Sequence, residues 1–477
     1  MFSVGKPKHS GSSYSYLFDR KLPPTEQELS RATIDEIVES IHILRGREKP
    51  WKSTSPVQRH ERIMQLVRHL IVARKQRLTA FLYECLMDAM GDPQGSGITV
   101  VNIMRDLSRQ GIEPTAAFYN SALESLTVHP NYVALLEVLA VMRRRKWHTN
   151  RQTTALAYLR DEQNEMAYDT LMELHAAKTR VDPWVYDIFI FVFGRMGFLD
   201  EMLEILSIRM ELRATESLDA LQLFALDACS AAFHYPGTVA GWNALVRTGR
   251  VNPADGIVEN VLDTAAREGD TALATEALDM LAHRTRMRDY HYDSLIDAFM
   301  RTGDLASVVR IYSIMHESGI PVTKQVVDRL VEVTQGMGTL LNSWLFDVNQ
   351  EGRLLPQSLV DAAMAKQIAA SEYDAAMDLF FEYEKLCGTE CSYDLTLQLI
   401  RQCKDISTIN TLCDKVLTSH MKASGETAMR MERFNSIVTE LFADGRMTQA
   451  QACFDKLTER GLDTSGIERP VWWTLMA

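Results

Sequence analysis

A glycine recurs along this chain at multiples of a single length. Gly95, Gly197, Gly269, Gly303, Gly338 and Gly445 are separated by 102, 72, 34, 35 and 107 residues, close to three, two, one, one and three steps of roughly 35. A period of that size restricts the chain to a stacked array of small units, because one unit alone cannot bury its apolar surface. Residues 291–323, HYDSLIDAFMRTGDLASVVRIYSIMHESGIPVT, show what is repeated. Tyr292, Leu295, Ile296 and Phe299 fall at helical spacing on one face, with Asp293, Asp297 and Arg301 opposite. Gly303 can turn left-handed and end that helix, and Asp304 can cap a second. In the second helix Leu305, Val308, Val309, Tyr312 and Met315 share a face, before Gly319 and Pro321 end it.

A 35-residue ruler laid from Phe81 to Ser465 gives 11 units. The third, about 151 to 182, is short, and the fifth and tenth lack clear punctuation. The spacing predicts an all-α, right-handed superhelical solenoid of about eleven helical hairpins over 81–465. Before it lie a Ser-rich basic tail (1–21) and a basic helical extension (22–80), and after it a short tail (466–477).

The unit resembles the pentatricopeptide repeat, whose pattern has an aromatic in the first helix, Gly in the turn, Ala then Phe or Tyr then Met in the second helix, and Gly with Pro at the exit. The seventh unit shows Tyr292, Gly303, Tyr312, Met315 and Gly319. The eleventh shows Phe434, Gly445, Ala450, Phe454, Leu457 and Gly461. The first shows Gly95, Met104, Leu107, Gly111 and Pro114, and the second Tyr119, Asn120, Leu139 and Met142. The Trp, Leu-Gly and Tyr of a tetratricopeptide first helix are not in register.

The resemblance implies that each repeat can hold one base of single-stranded RNA, chiefly through its fifth and last residues. On this register the second unit offers Asn120 with Asn150, and the eleventh Asn435 with Ser465, pairs that suit a pyrimidine by analogy. Five units instead place Asp187, Glu259, Asp293, Asp328 and Asp361 at the fifth position. A carboxylate there can accept from an exocyclic amine but repels the phosphate backbone. The code is therefore largely degraded, and a short RNA contact near units 1 and 2 is expected rather than a long track.

Charge divides the chain. Residues 1–80 carry 15 Lys and Arg against 8 Asp and Glu, leaving 36 against 55 for residues 81–477. The array is acidic and its leading extension basic. In VQRHERIMQLVRHLIVARKQR, the residues Ile63, Leu66, Val67, Leu70 and Ile71 form an apolar face, while Arg59, Arg62, Arg68, Arg74, Lys75 and Arg77 form a basic one. That face reads either as a grip on phosphate or as the solvated side of a capping helix. The run Arg143, Arg144, Arg145 and Lys146, with His148 and Arg151 beyond, poses the same choice at the end of a repeat helix. Pro23, Pro24 and Thr25 followed by Glu28 predict a capping box opening a helix to about Leu44. Residues 1–18 contain no acid, two Lys and five Ser but no Arg. They read equally as a transit segment or as a plain tail.

No phosphate-binding GxxxxGK[ST], dinucleotide GxGxxG or HExxH motif occurs, and the tail after Ser465 lacks the HxE and CxxC of a deaminase extension. His175 and His283 have no partner that would make them catalytic. Seven scattered cysteines suit a reducing compartment, and the 4, 12 and 10 spacings of Cys387, Cys391, Cys403 and Cys413 do not match a zinc site. No metal, cofactor, small-molecule substrate or membrane span is expected. Trp472 and Trp473 read as an end cap. What the resemblance implies is a non-enzymatic factor of the mitochondrial matrix that binds organellar messenger or ribosomal RNA in processing, stability or translation. The acidic fifth positions allow another reading: a scaffold whose acidic groove holds a basic mitochondrial ribosomal or assembly protein.

Overall fold

In a computed structural model of the chain, the described residues are 14–45, 56–212, 218–420 and 427–468. They are all-α, with no strand among them. Trp472, Trp473, the first 13 residues and most of the 46–56 linker lie outside the described residues. The chain divides into two compact units, 1–221 and 222–477.

The first unit opens with α1 (Glu26–Arg31), α2 (Ile34–Arg45) and α3 (Pro56–Arg68), the last running into a π-helical turn, His69–Ala73. Thr25 and Glu28 form the capping box, the Glu28 carboxylate accepting from the Thr25 amide at 2.7 Å. The expected single helix to Leu44 is interrupted at Ala32. A second box explains the break: Glu36 accepts from the amide of Thr33 at 2.8 Å, and the Thr33 hydroxyl accepts from the amide of Glu36 at 3.2 Å.

Four hairpins follow: α4 (Ala80–Ala89) with α5 (Gly97–Arg109), α6 (Ala116–Val128) with α7 (Tyr132–Arg144), α8 (Arg151–Arg160) with α9 (Asn164–Ala176), and α10 (Pro183–Met196) with α11 (Leu199–Glu211). The second unit continues with α12 (Asp219–Ala231) and α13 (Tyr235–Leu245), α14 (Asp255–Glu268) and α15 (Thr271–Ala282), and α16 (Asp289–Thr302) and α17 (Leu305–Glu317). It ends with α18 (Lys324–Val333) and α19 (Gly338–Gln350), α20 (Gln357–Ala369) and α21 (Tyr373–Cys387), α22 (Tyr393–Gln402) and α23 (Ile406–Lys415), and α24 (Thr427–Ala443) and α25 (Met447–Glu459). The boundary between the units falls inside α12.

First helices pack on first helices, as α4 on α6, α6 on α8 and α14 on α16, and second helices on second at α17–α19, α19–α21 and α23–α25, so apolar stripes are buried between neighbouring hairpins. In the α16–α17 hairpin Ile296, Val308, Val309, Tyr312 and Met315 are buried, and the Tyr312 hydroxyl donates to the carbonyl of Val326 in the next hairpin at 2.8 Å. Each such side chain contributes about 1.5–3 kcal/mol by leaving water. Asp304 caps α17, accepting from the amide of Ser307 at 3.2 Å.

The hairpin turns explain the uneven punctuation. Gly197, Gly269, Gly303 and Gly445 are left-handed, whereas in the eighth hairpin Gly336 takes that conformation and Gly338 begins α19. In the third, fifth and ninth hairpins the left-handed residue is Glu162, Phe233 or Ser371, so no glycine marks the turn. The tenth needs none: Cys403 is extended, and Asp405 caps α23 by accepting from the amide of Thr408 at 2.9 Å.

Candidate nucleic-acid interface

The extension's arginines divide by direction. Ile63, Leu66, Val67 and Leu70 of α3 and its π turn are buried as expected. Arg62 is not on an exposed basic face: it is 2% exposed, and its guanidinium donates to the carbonyls of Leu17, Arg20 and Leu22 at 3.0–3.1 Å. Arg59 is turned inward too, donating to both Asp92 oxygens at 2.7 Å, to Asp88, and to the Leu44 carbonyl at 2.7 Å. Arg74 closes the end of α1 through the carbonyls of Leu29, Ser30 and Ala32. These three hold the extension together and to the first hairpin. Only Arg68, Lys75 and Arg77 of that set are exposed.

At the end of α7 the cations face outward. Arg143, Arg144 and Lys146 are exposed. Arg145 is committed to a neighbour, donating to Glu113 at 2.7 Å and lying 5.1 Å above the Trp147 ring, which itself meets Tyr119. Asn120, the fifth residue of α6, has a buried amide oxygen with no hydrogen-bond partner. Asn150 is exposed and caps α8, accepting from the amide of Thr153 at 3.3 Å. In the last hairpin Asn435 is 8% exposed, donates to the Asp463 carbonyl at 3.3 Å, and likewise leaves its own amide oxygen unpartnered. Ser465 is exposed, its amide donating to the Asp463 carboxylate at 2.9 Å.

Asp187, Glu259, Asp293, Asp328 and Asp361 are each the fifth residue of a first helix, but three of them are tied internally. Arg209, itself 1% exposed, donates to Asp187 at 2.7 Å. Glu259 meets His291 of the next hairpin at 3.2 Å. Asp361 accepts from the Tyr383 hydroxyl at 2.6 Å, and burial pushes its carboxyl above the usual range. Burial, and then the nearby Asp289 and Asp297, push Asp293 up as well. Reading the register from the glycines alone misses Glu84, the fifth residue of α4, which is paired with Arg45 at 3.2 Å. The helix starts, marked by caps such as Thr79, would have found it.

Polar ties also cross between successive first helices. The ninth residue of one meets the sixth of the next at Asp263–Ser294 and at Asp297–Arg329. At the next step the sixth residue is Ala362, so Glu332 has nothing to meet. The small side chains Ala362, Ala365 and Ala369 leave a groove of about 560 Å³ across α18, α20 and α22. Asp328, Glu332 and Asp361 line it over an apolar floor that includes Val327, Val331 and Leu395, with Lys324 and Lys366 along its edges. Among the described residues, no helix is long and apolar enough to cross a membrane.

Residues 255–383, hairpins six to nine, match the family model described as pentatricopeptide repeat-containing protein. Hairpins six to nine are thus similar to pentatricopeptide repeats. Similar solved structures include the pentatricopeptide repeat protein PPR10 from maize, 14% identical, with the match covering 92% of this chain and 70% of that one at a TM-score of 0.33. Another is PPR10 in complex with an 18-nt psaJ RNA element, 15% identical over 92% and 66% at a TM-score of 0.30. At those scores the likeness carries no argument about the site. No curated protein matches.

Proposed function

We propose that the chain as a whole is a pentatricopeptide repeat protein and a non-enzymatic factor of mitochondrial gene expression, contacting a short single-stranded stretch of organellar messenger or ribosomal RNA at its second repeat. The observation that carries the reading is the pairing of outward cations at the end of α7 with Asn120, whose amide oxygen is desolvated and unbonded. A desolvated acceptor costs stability unless something donates to it, and the exocyclic amine of a base would do so. Arg143, Arg144 and Lys146 supply the phosphate attraction that the acidic first helices of hairpins six to nine withhold. Crosslinking RNA to the protein in living cells, recovering it under denaturing conditions and sequencing it tests this. A sharp peak on one organellar transcript or on ribosomal RNA supports it, and recovery no better than an uncrosslinked control contradicts it.

A second reading is favoured by the α18–α22 groove: a scaffold whose three carboxylates take a basic segment of a mitochondrial ribosomal or assembly protein. Glu332→Lys then abolishes co-purification of that protein while leaving RNA recovery unchanged. Loss of RNA with the protein retained would remove this reading.

A further inference from the structure

Two thiols at the far end of the second unit serve neither reading. Cys413 in α23 and Cys453 in α25 have no exposed surface, and their Sγ atoms lie 3.4 Å apart. They are 40 residues apart in sequence and sit on the second helices of consecutive hairpins, so only stacking of the last hairpin on its neighbour brings them together.

We propose that Cys413 and Cys453 form an oxidisable dithiol, the site at which a peroxide or a low-molecular-weight disulfide staples the last two hairpins together. With hydrogen peroxide, one thiolate attacks an oxygen and becomes a sulfenic acid as the first water leaves. The second thiol then displaces the sulfenic oxygen as another water. Two thiols have lost two electrons and two protons, and peroxide has taken them up. With a small disulfide, a mixed disulfide forms and is resolved by the second thiol, releasing two small thiols. The sulfurs need to approach from 3.4 Å to a bonded distance of about 2.05 Å, within reach of side-chain rotation and a small helix shift.

Stacking also makes the reaction conditional. In the closed state the hydrogen bond to Cys453, and then burial, keep the Cys413 thiol protonated and unreactive. α25 packs on α23 and α24, and α23 ends in a π-helical turn at Val416–His420, so local separation of one hairpin from its neighbour opens the contact between the two thiols. Opening of that hairpin admits the oxidant, and bond formation on reclosure fixes the stacked state.

The folded full-length protein is incubated without denaturant with hydrogen peroxide or oxidised glutathione, quenched in acid, alkylated, digested and analysed unreduced by mass spectrometry. The expected result is a dominant Cys413–Cys453 peptide that dithiothreitol reverses, with amide exchange in α25 at least about tenfold slower in the oxidised protein. Cys453→Ser, close in size and still a hydrogen-bonding partner, loses both the linked peptide and the slowing while its helical circular dichroism is unchanged. Absence of the linked peptide after prolonged oxidation overturns the proposal. So does a comparable yield of links to Cys403, or a link that leaves α25 exchange unaltered.

Discussion

The two basic segments of the first unit have similar composition and opposite fates. In α3 and the turn after it, Arg59, Arg62 and Arg74 fold inward, because carbonyls at chain turns and the buried Asp88 and Asp92 lie within reach. At the end of α7 Arg145 reaches a carboxylate, Glu113, and Arg144 only the Ala140 carbonyl of its own helix at 3.4 Å, and the run stays exposed. What decides the role of a cation here is the supply of unsatisfied acceptors nearby, not the local count of positive charge. Inward arginines act as struts, and outward ones are available to a ligand.

The largest effect expected from that contrast is on folding. Arg62→Ala strands the buried Leu17 carbonyl and the part-buried carbonyls of Arg20 and Leu22 and should cost about 3 kcal/mol, on the scale of breaking a buried charged network. A urea titration followed by circular dichroism measures it. A loss below 1 kcal/mol would erase the distinction. Next comes Arg143→Ala with Arg144→Ala, which should weaken single-stranded RNA binding about tenfold at low salt and move the unfolding midpoint by less than about 0.5 kcal/mol. The triple change Arg68→Ala, Lys75→Ala and Arg77→Ala should have a smaller effect, about two- to threefold on binding, because these exposed cations belong to the extension and not to the second hairpin that carries Asn120. A fluorescence-anisotropy titration ranks the two sets, and equal losses would blur them into one nonspecific field.

The smallest effect carries the contrast over to carboxylates. Asp361 is raised by burial, so the folded state holds its proton more tightly than the unfolded state does. The stability cost of ionising it is therefore present at neutral pH and relieved as pH falls toward the raised value. Asp361→Asn keeps an acceptor for the Tyr383 hydroxyl and removes the buried charge. It should stabilise the protein by less than about 1 kcal/mol at pH 7 and lose that advantage as the pH is lowered. A destabilised variant with an unchanged pH profile would show that the charge itself is needed.

Much of the array was legible because hairpins such as α16–α17 align three signals: an apolar stripe, a left-handed glycine and an Asp cap. The tenth hairpin was blurred because its turn at Cys403 is extended, and the third and fifth because Glu162 and Phe233 take the left-handed turn, as Ser371 does in the ninth. That conformation costs a non-glycine residue about 1–2 kcal/mol, which stacking can offset, so glycine is a preference and not a requirement. The break between α1 and α2 was hidden because Thr33 and Glu36 lie inside a continuous apolar periodicity. α24 starts at Thr427, which makes Asn435 its ninth residue, whereas the fifth positions of α6, α10, α14, α16, α18 and α20 were legible as a register, since helix starts set them. Their partners were not: Arg209, His291 and Tyr383 reach them from other helices, 22 or 32 residues away in sequence. The direction of Arg62 was equally hidden, because its acceptors are backbone carbonyls 40 or more residues earlier, carrying no side-chain signature.

The central claim is that the outward cations of α7 hold RNA phosphates, and the salt dependence of binding tests it most directly. Affinity for a short pyrimidine-rich single strand is measured from low to physiological salt for the unaltered protein and for Arg143→Ala with Arg144→Ala. Loss of two phosphate contacts should flatten the slope of log affinity against log salt by about 1.4. An unchanged slope, at whatever affinity, would contradict the account.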